Sequence, residues 1–283
     1  MRIELISKIK DGRQDGAIFG GYFFSFNHRG NCSVYEIASL SKLKYGQAEV
    51  FSEFVFDKNE LIVPHSNSVA FGAEYYDEND EFPLLYTNIY NNHTELKGVT
   101  LVYRLQRDGK NFTSTLVQMI EIGFVDKENL WKSENDVRPY GNCAIDRENG
   151  VYYAFVMRSG AQSTRYFAFD LPKITCGEIY EKYGVKRVVL EEADIKEYFD
   201  CDFHRYIQGA CFKDGKIYSL EGFTDSPDAP PVIRIIDTNK KEQIFYKEFK
   251  DLGTNVEPEA IDFDGENCYY LDHFGNLYKI LWN

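Results

Sequence analysis

The feature that most constrains this chain is a short β-unit whose opening phrase occurs five times. The clearest copy is residues 256–280, which hold three strand-like runs joined by tight polar turns. The phrase is a polar pair, then a small residue, then apolar residues. The other four openings are Asp15-Gly16-Ala17-Ile18-Phe19, Asn67-Ser68-Val69-Ala70-Phe71, Asn142-Cys143-Ala144-Ile145 and Gln208-Gly209-Ala210-Cys211-Phe212. A β-unit repeated in this way predicts a fold built from similar sheets.

The spacing of the repeat indicates the size of each sheet. Subtracting the residue numbers of Asp15, Asn67, Asn142, Gln208 and Pro258 gives spacings of 52, 75, 66 and 50. Such spacings suit four-stranded propeller blades of about 40–50 residues, with insertions after the second and third blades.

The fifth unit has only three strand-like runs, and the start of the chain offers the fourth. Residues 2–9 alternate apolar and polar side chains, the pattern of a strand with one wet face. If this strand completes the last blade, the ring closes without an open edge. The sequence therefore predicts an all-β, five-bladed propeller in one domain over residues 1–283, with blade openings near Asp15, Asn67, Asn142, Gln208 and Glu257. The alternative is a six-bladed ring with its extra blade between residues 123 and 140.

Residues 172–204 interrupt the β rhythm. Within this insertion, 177–183 and 191–199 have apolar residues at helical spacing, which predicts two short helices. The run 187–190 between them is the expected fourth strand of the third blade.

Composition favours a sheet protein and excludes some partners. Aromatic residues make up 16% of the chain, and they favour half-buried strands. The net charge of −13 disfavours nucleic acid and anionic membranes as partners. No C-x-x-C pair is present, so buried free thiols are expected at Cys143, Cys211 and Cys268, with disulfides as the alternative.

No run reaches the length of a membrane span. The N-terminal residues lack the apolar core of a signal peptide, so the sequence as given predicts a soluble cytoplasmic monomer. An extracellular location is the expectation if a leader has been removed.

The blade openings resemble those of a bacterial and phage propeller group, which includes helveticin-type bacteriocins and propellers linked with teichoic-acid biosynthesis and phage receptor binding. The phrases that carry the resemblance are His65-Ser66-Asn67-Ser68-Val69-Ala70, Ile207-Gln208-Gly209-Ala210 and Glu257-Pro258-Glu259-Ala260. Ala260 departs from the glycine that is typical of the group. The resemblance implies contact with a cell-surface glycopolymer, or an intracellular propeller of the same origin.

The residues that precede each innermost strand of a propeller surround one mouth of its central channel, where ligands commonly bind. The predicted ligand-binding residues are Gln14, Asp15, His65, Asn67, Tyr140, Asn142, His204, Gln208, Glu257 and Glu259. Amide, carboxylate, imidazole and phenol groups suit a carbohydrate-like or phosphorylated polyol ligand. The alternative is that they cap strand ends and bind water along the channel.

Two other functions stay open. A glycoside hydrolase or lyase would need two carboxylates at one bond, and the candidates are Asp15, Glu257 and Glu259. Asn67 and Asn142 occupy the equivalent positions of the second and third blades, which weighs against a glycosidase. A protein-binding scaffold with an inert channel is the third hypothesis.

No metal ligand set and no cofactor are assigned from the sequence. The oxygen ligands of Asp15, Glu257 and Glu259 would nevertheless suit a structural calcium ion in the channel.

Overall fold

In a computed structural model of the protein, the strands pair into five sheets. The structure describes residues 1–10, 14–40, 42, 46–89, 95–124 and 137–282, with the backbone alone for 137–141. Within these residues, short strands alternate with turns, and the one α-helix, α1 (Ile37–Leu40), is a single turn. None of the helices described has the length and apolar character needed to span a bilayer.

The strands follow one another along the chain with few interruptions. The first nine are β1 (Arg2–Lys8), β2 (Gly16–Phe19), β3 (Tyr22–Phe26), β4 (Asn31–Glu36), β5 (Ser52–Val55), β6 (Val69–Phe71), β7 (Leu85–Asn88), β8 (Val99–Asp108) and β9 (Asn111–Ile122). The next six are β10 (Val137–Asp146), β11 (Val151–Arg158), β12 (Ser163–Asp170), β13 (Glu178–Tyr180), β14 (Val185–Leu190) and β15 (Glu197–Asp202). The last seven are β16 (Ile207–Lys213), β17 (Lys216–Glu221), β18 (Val232–Asp237), β19 (Glu242–Glu248), β20 (Pro258–Asp264), β21 (Asn267–Asp272) and β22 (Asn276–Leu281).

Each sheet is one blade of a five-bladed propeller, as the sequence predicts. Blade I is β2-β3-β4-β5, and blade II is β6-β7-β8-β9 extended by β14 and β13. Blade III is β10-β11-β12-β15, blade IV is β16-β17-β18-β19, and blade V is β20-β21-β22-β1. The first strand of each blade, β2, β6, β10, β16 or β20, lies innermost and contacts the inner strands of its neighbours. The predicted six-bladed alternative is not the architecture found, and most of the segment where its extra blade was placed lies outside the described residues.

The hydrophobic core lies between the blades. Five clusters of buried side chains each join one pair of neighbouring blades, including blades V and I. The richest cluster lies between blades I and II, where the Phe56 ring stacks on Phe26 at 4.6 Å and on Tyr103 at 4.1 Å between centroids. The aromatic content of the chain therefore packs the faces of adjacent sheets. All six cysteines are free, and Cys143, Cys211 and Cys268 are buried in these clusters as predicted.

The N-terminal strand closes the ring. β1 runs antiparallel to β22 from Arg2 opposite Leu281 to Lys8 opposite Asn276, with an irregularity between Leu5 and Ser7. It is the outer strand of blade V, so the predicted closure is confirmed.

The insertion 172–204 differs from the prediction. Both segments expected as helices contain strands, and the only helical turn there is a 3-10 turn at Glu192–Asp194. The run 187–190 belongs to β14, which pairs in parallel with β9 of blade II. The fourth strand of blade III is instead β15, where Phe199 and Cys201 are buried and alternate with exposed residues. Ile195 and Phe199 match helical spacing, but the period-2 pattern of β15 and its pairing with β12 determine the structure.

Deleting residues 1–8 should destabilise the whole ring. The deletion leaves β22 as an unpaired edge and exposes the apolar side chains that β1 covers. We expect a loss of about 3 kcal/mol or more in the free energy of unfolding, together with self-association through the open edge. Denaturant unfolding and size-exclusion chromatography measure the two effects. The matched control, Glu4→Ala at an exposed position of the same strand, should stay within about 0.5 kcal/mol of the wild type. A deletion variant that is as stable and as monomeric as the wild type would contradict a closing role for β1.

Candidate functional site

A cavity of about 460 Å³ opens at the end of the channel where the inner strands begin, beside blades IV and V. Its volume lies in the range of small-molecule pockets. Its lining residues are Gln14, His65, Tyr206, Gln208, Phe223, Ser226, Glu257, Glu259 and His273. Five of these, Gln14, His65, Gln208, Glu257 and Glu259, are among the residues predicted from the sequence. We call this pocket the mouth cavity.

The four residues that the sequence analysis missed have different origins. Tyr206 directly precedes β16, and its backbone φ of 61° is an outlier for a bulky residue. Phe223 and Ser226 lie in the loop between β17 and β18, and His273 lies in the turn between β21 and β22. These loops lie at the same end of the blades as the strand openings. No repeated phrase marks these loops in the sequence, so the repeat gave no signal for Phe223, Ser226 or His273.

Glu257 is held in place from three directions. Its Oε1 accepts a hydrogen bond of 2.6 Å from Nε2 of Gln208, which also donates to the Gly222 carbonyl at 3.1 Å. Its backbone N–H donates to Oγ1 of Thr224 at 2.8 Å, and its carbonyl accepts the His273 N–H at 2.9 Å. Blades IV and V therefore fix this carboxylate together.

Glu259 and His273 form a pair at the floor of the mouth cavity. His273 Nδ1 lies 2.7 Å from Glu259 Oε1. The Glu259 side chain has no exposed surface, whereas the His273 side chain is 48% exposed. An ionised carboxylate can only accept, so in that state Nδ1 carries the shared proton. The buried carboxylate thus orients an imidazole that faces the solvent-filled cavity.

Gln208 and Glu259 occupy equivalent positions of two neighbouring inner strands. The pairing register shifts between Ile207 and Gly209 in blade IV, and between Pro258 and Ala260 in blade V. Each shift adds one residue to the inner strand, and such bulges re-aim side chains next to functional sites. The two residues are therefore directed to the same place by the same local distortion.

Asp15 lies beneath the cavity and not in its wall. Its side chain is fully buried, with Oδ1 accepting the Gly16 N–H and Oδ2 accepting the Val69 N–H, both at 2.8 Å. Burial raises the pKa of this carboxyl well above its usual value. A Cβ at Gly209 would lie 2.2 Å from the Glu259 carbonyl oxygen and 3.0 Å from Asp15 Oδ1. The backbone of blade IV therefore packs directly against the backbone of blade V and against the Asp15 side chain. Asp15 joins blades I and II at the axis.

Asn67 and Asn142 also serve contacts between blades. Asn142 Nδ2 donates to the Asn67 carbonyl at 3.0 Å and to the Ile207 carbonyl at 3.4 Å. Asn67 Oδ1 accepts from Asn88 Nδ2, and both predicted residues are buried. They tie blades II, III and IV together and do not line the mouth cavity. The side chain of Tyr140 lies outside the described residues.

His204 lies in a buried cluster between blades III and IV. Its Nδ1 is 3.0 Å from the Arg205 carbonyl and 3.7 Å from Glu221 Oε2. Glu221 accepts two hydrogen bonds from Arg234 Nη1, at 2.9 and 3.2 Å, and Arg234 Nη2 donates to the Asp202 carbonyl on the outer strand of blade III. Both members of this ion pair are fully buried. The structure thus places His204 in a blade junction and not in the cavity.

Replacing Arg234 by Met should lower the free energy of unfolding by about 3–5 kcal/mol, because Glu221 is left as a buried unpaired charge. The double variant Arg234→Met/Glu221→Gln should recover most of that loss, since it removes the orphaned charge. Denaturant unfolding of the two single variants and the double variant measures the coupling. Additive losses would show that the two side chains do not stabilise each other.

A further acid, the partly buried Asp262, joins blades I and V. Asp262 Oδ2 accepts the Ile18 N–H at 2.6 Å, and Oδ1 accepts the Phe263 N–H at 2.8 Å. Burial raises the pKa of this carboxyl to about 6. The folded chain therefore binds this proton more tightly than the unfolded chain does, and the contribution of Asp262 to stability falls as the pH rises from about 4 to about 6.

An Asp262→Asn variant should therefore become more stable relative to the wild type as the pH rises. The difference in free energy of unfolding between the two proteins should shift in favour of the variant by up to about 3 kcal/mol between pH 4 and pH 7. Asn lacks one of the two acceptor oxygens, but that loss is the same at every pH. Urea unfolding at several pH values measures the difference, and the exposed Asp228→Asn serves as control. A constant difference between Asp262→Asn and the wild type would contradict the raised pKa.

A second cavity, of about 420 Å³, lies at the turns between the first and second strands of blades II, III and IV. Its charged residues are Asp146, Arg147, Glu148, Lys213 and Asp214. None of the residues predicted from the sequence lines it. The mouth cavity is therefore the candidate functional site.

Comparison with known proteins identifies no family for this chain, and the two solved structures described here are distant from it. A scan against protein-family models finds no match, and no curated protein matches the sequence. Among solved structures, the glutaminyl cyclase of Myxococcus xanthus aligns over 98% of this chain and 97% of its own, with 8% identity and a TM-score of 0.48. A mitotic checkpoint complex structure aligns over 96% of this chain and 60% of that chain, with 12% identity and a TM-score of 0.39. Likeness at this level carries no argument about function.

Proposed function

We propose that this protein is a binding propeller that holds a neutral, hydroxyl-rich ligand, such as a carbohydrate or polyol, in the mouth cavity. The observation that carries the proposal is the convergence of polar side chains with two aromatic rings around one pocket of suitable volume. Gln208 Oε1 and the Glu257 carboxylate can accept hydrogen bonds from ligand hydroxyls, whereas the Gln208 amide N–H groups already donate to Glu257 and Gly222.

The aromatic rings supply the apolar part of the site. Tyr206 and Phe223 lie edge to face with centroids 5.9 Å apart, and Phe223 is 48% exposed. An exposed aromatic face in a polar pocket suits the C–H face of a sugar ring. The strained backbone of Tyr206 at the same place is typical of ligand-binding positions.

The charged residues that line the mouth cavity favour neutral ligands over phosphorylated ones. The lining residues named above include two glutamates and no lysine or arginine. A phosphate group would meet these carboxylates at close range and be repelled. This supports a neutral ligand over the phosphorylated polyol that the sequence also allowed.

A glycoside hydrolase or lyase receives less support. Asp15 is enclosed between blades, which leaves Glu257 and Glu259, the two acids that line the mouth cavity, as the candidates. These two project from one strand opening, with ligand atoms within 4.8 Å of each other. Glycosidase acids instead flank the scissile bond from opposite sides.

Replacing Phe223 or Gln208 by Ala should weaken binding of a neutral sugar about tenfold for each variant, through loss of one ring contact or one hydrogen bond. Calorimetry with a panel of neutral monosaccharides, disaccharides and polyols, each beside its phosphorylated counterpart, measures the affinity. The control is Phe274→Ala, since Phe274 is an exposed aromatic residue outside the cavity lining. The proposal is overturned if no neutral ligand saturates the protein, or if Phe223→Ala and Phe274→Ala bind equally well.

A further inference from the structure

Three side chains of different origin bring metal-binding atoms together in the mouth cavity. One ligand atom each of Glu257, Glu259 and His273 lies within 4.8 Å of the others. Two come from the opening of β20 and the third from the turn after β21. The donor set is mixed, with two carboxylates and one imidazole.

The donors are held before any ion arrives. Glu257 is oriented by the 2.6 Å hydrogen bond from Gln208, the kind of outer contact that fixes metal-binding carboxylates. The backbone hydrogen bond from the His273 N–H to the Glu257 carbonyl joins the two elements at 2.9 Å. The turn that carries His273 is fixed by the buried Asp272, whose Oδ1 accepts the N–H groups of Phe274 and Asn276 at 2.9 Å each.

The donor atoms need to move only a small distance to bind an ion. Metal bonds of about 2.0–2.2 Å to nitrogen and oxygen require the donor atoms to lie somewhat closer than 4.8 Å to one another. The His273 side chain, about half exposed, can make that movement, whereas Glu259 is fully buried and stays in place. An ion would replace the proton that now links Nδ1 and Oε1, and His273 would move these two atoms apart from 2.7 Å to admit it.

We propose that Glu257, Glu259 and His273 bind a divalent transition-metal ion, with Zn²⁺ or Mn²⁺ as the best fit. Imidazole combined with carboxylate favours these ions, whereas Ca²⁺ and Mg²⁺ prefer oxygen alone. This differs from the calcium site considered from the sequence, because Asp15 is replaced by His273 as a donor. Three protein donors leave coordination positions open toward the cavity, where a ligand hydroxyl or water can bind.

Metal binding should be visible without any sugar, so its failure is distinct from a failure of the proposed function. All proteins carry Cys176→Ser, because Cys176 is the exposed thiol and could bind zinc by itself. Calorimetric titration with Zn²⁺, Mn²⁺ and Ca²⁺ alone, together with the visible spectrum of the Co²⁺ form, reports stoichiometry and donor type. We expect one Zn²⁺ per chain, bound by the neutral imidazole tautomer that carries its proton on Nε2 and coordinates through Nδ1.

His273→Ala and Glu259→Gln should each weaken Zn²⁺ binding by about 100-fold or more, and Gln208→Ala by about tenfold through the freed Glu257 carboxylate. The controls are His28→Ala and Glu266→Gln, which alter an exposed imidazole and an exposed carboxylate remote from the cavity lining. Because Glu259 is buried, circular dichroism checks the fold of its variant, and His273→Ala tests the site if that variant does not fold. Zn²⁺ binding that is absent, or that survives His273→Ala unchanged, overturns the proposal. Tighter Ca²⁺ binding that survives His273→Ala overturns it as well.

Discussion

The pairing of β1 with β22 is the constraint on which the ring depends. Each of the five hydrophobic clusters lies between two blades, so every blade needs a neighbour on both sides to bury its faces. Blade V takes three strands from the end of the chain and its fourth from the beginning. The contact between blades V and I, which contains Ile9 and Leu277, is therefore formed only when the two ends of the chain meet. That requirement makes the ring cooperative, because no blade has a complete core alone.

At the axis, polar side chains replace the hydrophobic packing. Asp15, Asn67 and Asn142 accept or donate hydrogen bonds to the backbone of neighbouring blades, which satisfies main-chain groups that the crowded axis hides from water. These three residues open blades I, II and III, and their side chains are engaged in contacts between blades. The equivalent residues of blades IV and V, Gln208 and Glu259, face the mouth cavity instead. The site therefore lies off the axis, beside blades IV and V.

The repeat made both the fold and about half of the cavity predictable. Gln14, His65 and Glu257 precede inner strands, and a repeated phrase marks those positions in the sequence. Phe223 and His273 lie in loops between second and third strands, where no phrase recurs, so spacing gave no signal for them. The same limit applies to β14, because its parallel pairing with β9 joins residues that are about 70 apart. Ile195 and Phe199 fit a helix locally, and only the pairing of β15 with β12 selects the strand.

The site arises where two blades depart from the repeat. One extra residue in β16 and one in β20 break the regular pairing, and the side chains at those points are Gln208 and Glu259. A fully buried carboxylate such as Glu259 needs hydrogen-bond partners, and Nδ1 of His273 lies within hydrogen-bond distance of it at 2.7 Å. A metal ion at the same position would supply positive charge and open coordination positions. In the metal-free cavity, the two carboxylates favour hydroxyl groups and cations over phosphate. A bound divalent ion would offset their charge and offer its open coordination positions to ligand hydroxyls.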